Sequence, residues 1–185
     1  MALLPTNQIP LGFKAPSFKL FNPISKQTET LEQHQSDKAT VVVFICNHCP
    51  YVLHIIDKLA EVAKDYKAKG VNFIAINSND VEKYPEDHPD KMIELARKKK
   101  FDFPYLFDET QEVAKAYKAV CTPDFNVFDH EMRCVYRGQF DSSRPGNDQP
   151  VTGKDLRHTL DLLLNGKHVP EDQIPSSGCS IKWKS

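Results

Sequence analysis

The segment Val41-Val42-Val43-Phe44-Ile45-Cys46-Asn47-His48-Cys49-Pro50 decides how this chain is read. Its first five residues are apolar and mostly β-branched, without alternation, which is how a strand reads when both of its faces are buried. Two cysteines three apart follow at once. Pro50 then fits the first turn of a helix, where its missing N–H has no intrahelical partner to lose. Beyond it Val52, Ile55, Ile56, Leu59, Ala63 and Tyr66 recur at helical spacing, while His54, Asp57, Lys58 and Glu61 point away. Gly70 is the expected stop, and Val71 to Ile76 is a second buried run. Residues 41–76 thus form a strand, helix, strand unit whose crossover is right-handed and whose strands are parallel.

Outward from this unit, Phe18 to Phe21 and Gln27 to Leu31 flank Asn22-Pro23 and predict an N-terminal β-hairpin. A polar loop, Asn77 to Pro89, leads into a helix near Asp90 to Lys99. Phe103 to Phe107 reads as a short strand, and Asp108 with Gln111 offers a capping box for a helix through Tyr117. After Thr122-Pro123, Phe125 to Asp129 and Arg133 to Arg137 flank a polar turn and predict an antiparallel hairpin. A last helix carries Leu156, Leu160, Leu163 and Leu164 inward and stops at Gly166. The segment 167–185 shows no period and reads as an extended C-terminal tail. The whole, residues 1–185, is expected to be one α/β domain, a three-layer sandwich with a mixed central sheet.

Composition narrows the function. With 24 basic and 25 acidic residues the net charge is −1, so no basic field exists to hold nucleic acid or an anionic membrane surface. The longest apolar stretch, Val41 to Cys46, is far short of the roughly 20 residues that span a bilayer. The start, Met1 to Gly12, lacks the basic and apolar regions of a secretory signal, so a cytoplasmic location is expected. Five cysteines, an odd number in a chain of 185, do not suit a secreted disulfide framework and point to catalytic, metal-binding or buried thiols.

The pair Cys46 and Cys49 carries the chemistry. A free cysteine with a pKa of about 8.5 is only a few per cent ionised at pH 7, and helix starts or CxxC settings lower it to roughly 3.5 to 7.5. The helix opening at Pro50 is expected to aim unpaired N–H groups at Cys46, and a protonated His48 beside it favours a thiolate further. Cys46 is thus the expected nucleophile, exposed and anionic. Cys49, one turn into the helix, is the expected resolving thiol, with Asn47 and His48 modulating the pair. The same residues also suit a different class, a metal-binding or copper-carrying module using Cys46, His48 and Cys49, although a closed tetrahedral site calls for a fourth donor. No resident metal or cofactor is expected.

This cysteine segment, Thr122-Pro123 before a strand and the α/β order together resemble the thioredoxin superfamily. A closer resemblance, through Thr122-Pro123-Asp124-Phe125, Asp141 to Asn147 and Gly178 to Trp183, is to the peroxiredoxin-like redoxins of the AhpC/TSA type. The resemblance implies a cis Thr122–Pro123 bond against the cysteine pair, thiol–disulfide exchange with a disulfide-containing protein or small thiol, and a dithiol reductant. Thioredoxins have Trp before the first cysteine and Gly-Pro within the pair, where this chain has Ile45 and Asn47-His48. A histidine in that place resembles the disulfide-oxidising enzymes. The peroxiredoxin pattern Pro-x-x-x-Thr/Ser-x-x-Cys fails in both registers, with Val42 and Cys46, or Ala39 and Val43, in the Pro and Thr places. A hydroxyl donor to a peroxide is therefore expected to be missing, and peroxidase activity is the alternative reading.

Topology nominates further residues. The site should lie beyond the carboxyl ends of the parallel strands, which gathers Cys46, Asn77 to Asp80 and Pro123 on one edge, with Asn77 a candidate substrate contact. The loop 141–147 should overhang that edge, so Arg144 can stabilise a thiolate or bind an acidic group, or merely serve its turn. Cys121 should lie near the pair, and Cys134 is expected to be inert core. Cys179 in the tail reads either as a mobile relay thiol or as a residue held by Ile181 and Trp183. The remaining histidines, including His54, read as solvated.

Overall fold

In the computed structural model, which describes residues 3–185, the elements in chain order are β1 (Leu3–Pro5), β2 (Lys19–Asn22), β3 (Gln27–Thr30), α1 (Leu31–His34), β4 (Ala39–Phe44), α2 (Pro50–Lys67) and β5 (Val71–Asn77). A short 3₁₀ turn, Pro85–Asp87, precedes α3 (Pro89–Lys98). Then come β6 (Tyr105–Phe107), α4 (Glu112–Ala116), β7 (Cys121–Thr122), β8 (Asp124–Phe128), β9 (Cys134–Tyr136), α5 (Lys154–Leu164) and β10 (Ser177–Ser180). Seven strands form a mixed sheet in the order β3-β2-β6-β5-β4-β8-β9, in which β4, β5 and β6 run parallel and the other pairs antiparallel. The α/β sandwich, the parallel β4–α2–β5 unit and both hairpins are as the sequence predicts.

The uninterrupted apolar run at 41–45 has its explanation in two cores. Every residue of β4 is buried. Val41, Val43 and Ile45 face one core, where Val52, Ile56 and Leu59 of α2, Met92 of α3 and Leu156 and Leu160 of α5 pack on the sheet. Val42 and Phe44 face the other, with Phe18, Leu20 and Leu31 from the N-terminal part and Val113, Ala114 and Tyr117 around α4. Because successive side chains alternate across a strand, only a sequence apolar at every position serves both layers.

Local readings changed in two places. Leu31, read as the end of a strand, opens the single-turn α1 instead, because Thr30 and Gln33 form a reciprocal capping box there. Asp108 does cap α4, its carboxylate accepting from the N–H groups of Val113 and Ala114, but Gln111 takes no part in a box. Its side-chain amide is drawn away to the carbonyls of Ser78 and Lys182.

The largest correction is the tail. Ser177–Ser180 forms the middle strand of a second sheet, β1-β10-β7, with Cys179 opposite both Leu3 and Thr122. The ends are fastened too. Ser176 Oγ donates to Pro123 O at 2.7 Å, Ile181 N to Val120 O at 2.9 Å, and Lys182 N to Asn79 Oδ1 at 2.8 Å. Ile181 is buried in the second core and Cys179 in the first, so the segment joins both layers. Trp183, expected as an anchor, is 39% exposed. The approach of β10 to β7 depends on one residue: a Cβ at Gly178 would lie 1.9 Å from the carbonyl oxygen of Thr122. Gly178→Ala must therefore push the strands apart, and we expect a loss of about 1–3 kcal/mol in stability, as overpacking typically costs, read as a lower denaturant midpoint.

Candidate functional site

Cys46 and Cys49 bracket the turn between β4 and α2. The turn is anchored at its start by Ile45 N, which donates to Ile76 O at 2.9 Å. All five cysteines are unbonded to one another and buried. Both sulfurs of the pair rest on one residue, Thr122: Cys46 Sγ lies 3.5 Å from its hydroxyl, and Cys49 Sγ donates to its carbonyl at 3.2 Å. Thr122 precedes Pro123 through a cis peptide bond, as the resemblance implies.

The expected division of roles meets a geometric correction. The helix begins only at Pro50, and Cys49 is its N-cap, with extended φ −67° and ψ 121°. The side chain at an N-cap is the one that accepts the orphan N–H groups of the first turn. Cys49 therefore stands at the start of α2, where the Val52 N–H helps to lower its pKa although its side chain makes no capping hydrogen bond, while Cys46 stands outside the helix field. The Cys46 thiol hydrogen-bonds toward Cys49, is buried, and faces the negative Asp87, all of which hold it well above the usual thiol range. Cys49 moves the other way, lowered first by the hydrogen bond from Cys46 and then, against burial, by donors on Cys179 and Val52. The contact with Thr122 O opposes ionisation, since a carbonyl accepts from a thiol and repels a thiolate; the downward direction is the one four donors support. Cys46 is 1% exposed, so it is neither exposed nor the first sulfur to ionise.

Asp87, which the sequence did not single out, organises the turn. Fully buried at the end of the 3₁₀ turn, it accepts from Asn47 N at 2.7 Å and from Asn79 Nδ2 at 2.7 Å. Its Oδ2 lies 2.8 Å from His48 Nδ1, close but not aligned as a hydrogen bond. The His48 ring stacks on Tyr84 with centroids 5.6 Å apart and planes 2° from parallel, and Asp87 raises its pKa against the effect of burial. Asn47 is held by Tyr105, whose hydroxyl donates to Oδ1 at 2.9 Å, and by its own amide bond to Glu86 O. Cys46, His48 and Asp87 offer donor atoms all within 4.8 Å of one another, the single such set among the described residues and the place where a metal ion would fit. Asp87, the additional donor, comes from another loop, and both its oxygens already accept N–H groups. In sequence Asp87 belongs to the polar loop Asn77 to Pro89, and only chain folding brings it under the cysteine turn.

Other nominated residues stand elsewhere. Asn77 is fully buried and donates to Asp87 O at 2.9 Å, so it shapes the loop and is closed to substrate. The Arg144 guanidinium is engaged by Asp141 O, Ser143 O and Gln139 Oε1, which makes it a brace of its own loop. That loop does reach the expected edge, where Arg144, Tyr51, His54 and Pro123 line one small hollow. His54 is not solvated at its tip: Nε2 is buried without a partner. Cys121 lies 3.6 Å from Thr6 Oγ1, and burial pushes its thiol up to about 12. Cys134 is inert core on the same grounds. Cys179 is no mobile arm: it is 3% exposed, paired in register with Leu3 and Thr122, and buried in the same cluster as Cys49.

Over residues 11–137 the chain matches the AhpC/TSA family. It belongs to that family. Among solved structures it is similar to an uncharacterized conserved protein from Geobacillus kaustophilus, with 57% identity, a TM-score of 0.97, and coverage of 100% of this chain and 97% of that one. A hypothetical protein from Sinorhizobium meliloti 1021 shares 45% identity over 98% of each chain, with a TM-score of 0.95. The thioredoxin domain of a thiol-disulfide oxidoreductase from Bacteroides vulgatus shares the fold alone, at 15% identity and a TM-score of 0.63 over 83% of this chain and 99% of that one. The comparison with curated proteins found none that matches. Thioredoxin-like redoxin is thus the established family and fold. Among the described residues no helix is long and apolar enough to cross a membrane.

Two measurements test this electrostatic picture. Thiolate absorbance followed against pH should show one thiol ionising below the ordinary range; Cys49→Ser removes that step, and Cys46→Ala, which deletes the principal donor, shifts it upward. For His48 the folded pKa is raised, so its ion pair contributes fully below the unfolded value of about 6.5 and is lost as pH rises through the folded value. Asp87→Asn should lower the His48 midpoint in an NMR titration.

Proposed function

We propose that this redoxin is a thiol–disulfide oxidoreductase working through Cys46 and Cys49. The observation that supports the reading best is the shared seat of the two sulfurs on Thr122, which keeps two reduced thiols together with one proton more easily lost than the other. The Cys49 thiolate serves as base for Cys46: as the Cys46 sulfur attacks one sulfur of a substrate disulfide, its proton passes to Cys49. A bond forms between Cys46 and the substrate, and the other substrate sulfur leaves as thiolate. Cys49 then gives its proton to that leaving group and attacks Cys46, releasing the second substrate thiol and closing the Cys46–Cys49 disulfide. The substrate gains two electrons from the pair and two protons, one from Cys46 by way of Cys49 and one from solvent, which the second substrate sulfur takes up as it leaves as thiolate. A dithiol reductant restores the pair by the same exchange in reverse. Substrates of this chemistry are disulfides of proteins or of small thiols.

A second reading, thiol peroxidase, draws on one observation. The hydroxyl missing from the local sequence is supplied across the fold by Thr122 Oγ1, beside Cys46. It has less behind it, because Arg137 is bound to Asp124 and Asn126, and Arg144 to its own loop, leaving neither to polarise a peroxide.

The experiment is disulfide exchange with a dithiol reductant and a fluorogenic disulfide. Cys46→Ser should lose at least about a hundredfold in rate, corresponding to about 2.7 kcal/mol, and Cys49→Ser should accumulate a mixed disulfide on Cys46. Full exchange by Cys46→Ser would end the reading. Stopped-flow consumption of peroxide at rates no better than a free thiol would dispose of the second.

A further inference from the structure

The strand that covers Thr122 is itself a cysteine-bearing peptide. β10 runs antiparallel to β7 with Cys179 opposite Thr122, the residue whose hydroxyl and carbonyl hold the two sulfurs of the pair. This edge lies beside the cis Pro123, where the sequence analysis gathered the residues of the site. The chain fills that edge with its own segment, and the close approach is secured by the missing side chain at Gly178. Ser176 Oγ, bonded to Pro123 O, and Lys182, bonded on both sides to the loop 79–80, fix the segment at its two ends.

We propose that Cys179 is a third member of the redox centre, an internal exchange partner that the fold presents to Cys49 in the manner of a bound substrate. The inference rests on the oxidoreductase reading and extends it. Cys49 shares one buried cluster with Cys46 and Cys179, and the Thr122 carbonyl that takes its thiol belongs to the residue directly opposite Cys179; Cys46 and Cys179 are also among the groups that lower its pKa. When the pair is oxidised, the Cys179 sulfur attacks Cys49. The Cys49–Cys179 bond forms, the Cys46–Cys49 bond breaks, and the proton of Cys179 ends on the departing Cys46. Nothing is oxidised or reduced overall, because one disulfide replaces another. Two consequences follow: the oxidised protein keeps Cys46 as a thiol part of the time, and two electrons' worth of oxidation is stored between α2 and β10. Cys121, the neighbour of Thr122, lies against Thr6 and takes no part.

The test uses the full chain. Wild type and Cys46→Ser are oxidised with oxidised glutathione, their free thiols are alkylated in acid, and the unreduced peptides are mapped by mass spectrometry. Wild type should yield both Cys46–Cys49 and Cys49–Cys179 linkages, and folded Cys46→Ser, checked by circular dichroism, should convert mainly to Cys49–Cys179. A Cys46–Cys49 linkage in wild type, with Cys179 alkylated in both proteins and glutathione retained on Cys49 of the variant, overturns the internal exchange and leaves the oxidoreductase reading intact. Absence of both the Cys46–Cys49 and the Cys49–Cys179 linkage in wild type overturns both readings. Should Cys46→Ser fail to fold, the wild-type map decides alone: a Cys49–Cys179 peptide supports the proposal and its absence rejects it.

Discussion

Thr122 is the point on which the site depends. One hydroxyl and one carbonyl, on a strand of two residues, receive both sulfurs of the cysteine pair, and the same backbone pairs with Cys179. Such contacts contribute only about 0.5–1.5 kcal/mol each, so their importance lies in position. They bring three thiols from two distant parts of the chain into one water-poor region, where a proton shared among sulfurs changes each one's reactivity more than solvent would allow. What keeps Thr122 in place is a second buried structure. Arg137, 2% exposed, bonds to Asp124 and Asn126 of β8 and to the carbonyls of Tyr117, Lys118 and Asn7. Every guanidinium nitrogen is used, which is the condition under which a buried charge is tolerable.

The same logic governs the outer side of the turn. Asp87 replaces a longer stretch of regular structure: one carboxylate ties the cysteine turn to the loop after β5 through a backbone N–H, an asparagine and a histidine. The Cys46–Cys49 contact itself separates the two acidities most, and Asp87 beside Cys46 and the Val52 N–H beside Cys49 add to the separation from opposite ends of the turn. Two chemically identical side chains thereby differ in acidity.

Periodicity made the sheet legible, because β4 and β5 must satisfy two cores and the face of α2 must satisfy one; those demands are local and appear residue by residue in Val41 to Ile76. The CxxC pair was legible for the same reason, standing between two unambiguous elements. The assignment of acidity within it was not. Pro50 announced a helix start but left open whether the chain enters helical geometry before or after Cys49, and that single step decides which sulfur meets the N–H groups. Asp87 and Cys179 were hidden for a different reason. Their significance is wholly tertiary: Asp87 sits in a polar loop, and Ser177–Ser180, with its small residues, carries no hydrophobic alternation. It is a strand because Thr122 and Leu3 offer it partners on both sides, a context no window of sequence contains.

The passage of the C-terminal segment through both layers has a dynamic consequence. Cys179 belongs to the core beneath α2 and Ile181, two residues on, to the core beneath α4. Fraying of β10 cannot remain a local event, because lifting one side chain pulls on the other across the sheet. Exposure of the sulfurs to a large molecule is then a sub-global opening, rare and all-or-none, whereas the internal exchange proposed above requires no such opening. The fold thus separates two kinds of chemistry by timescale.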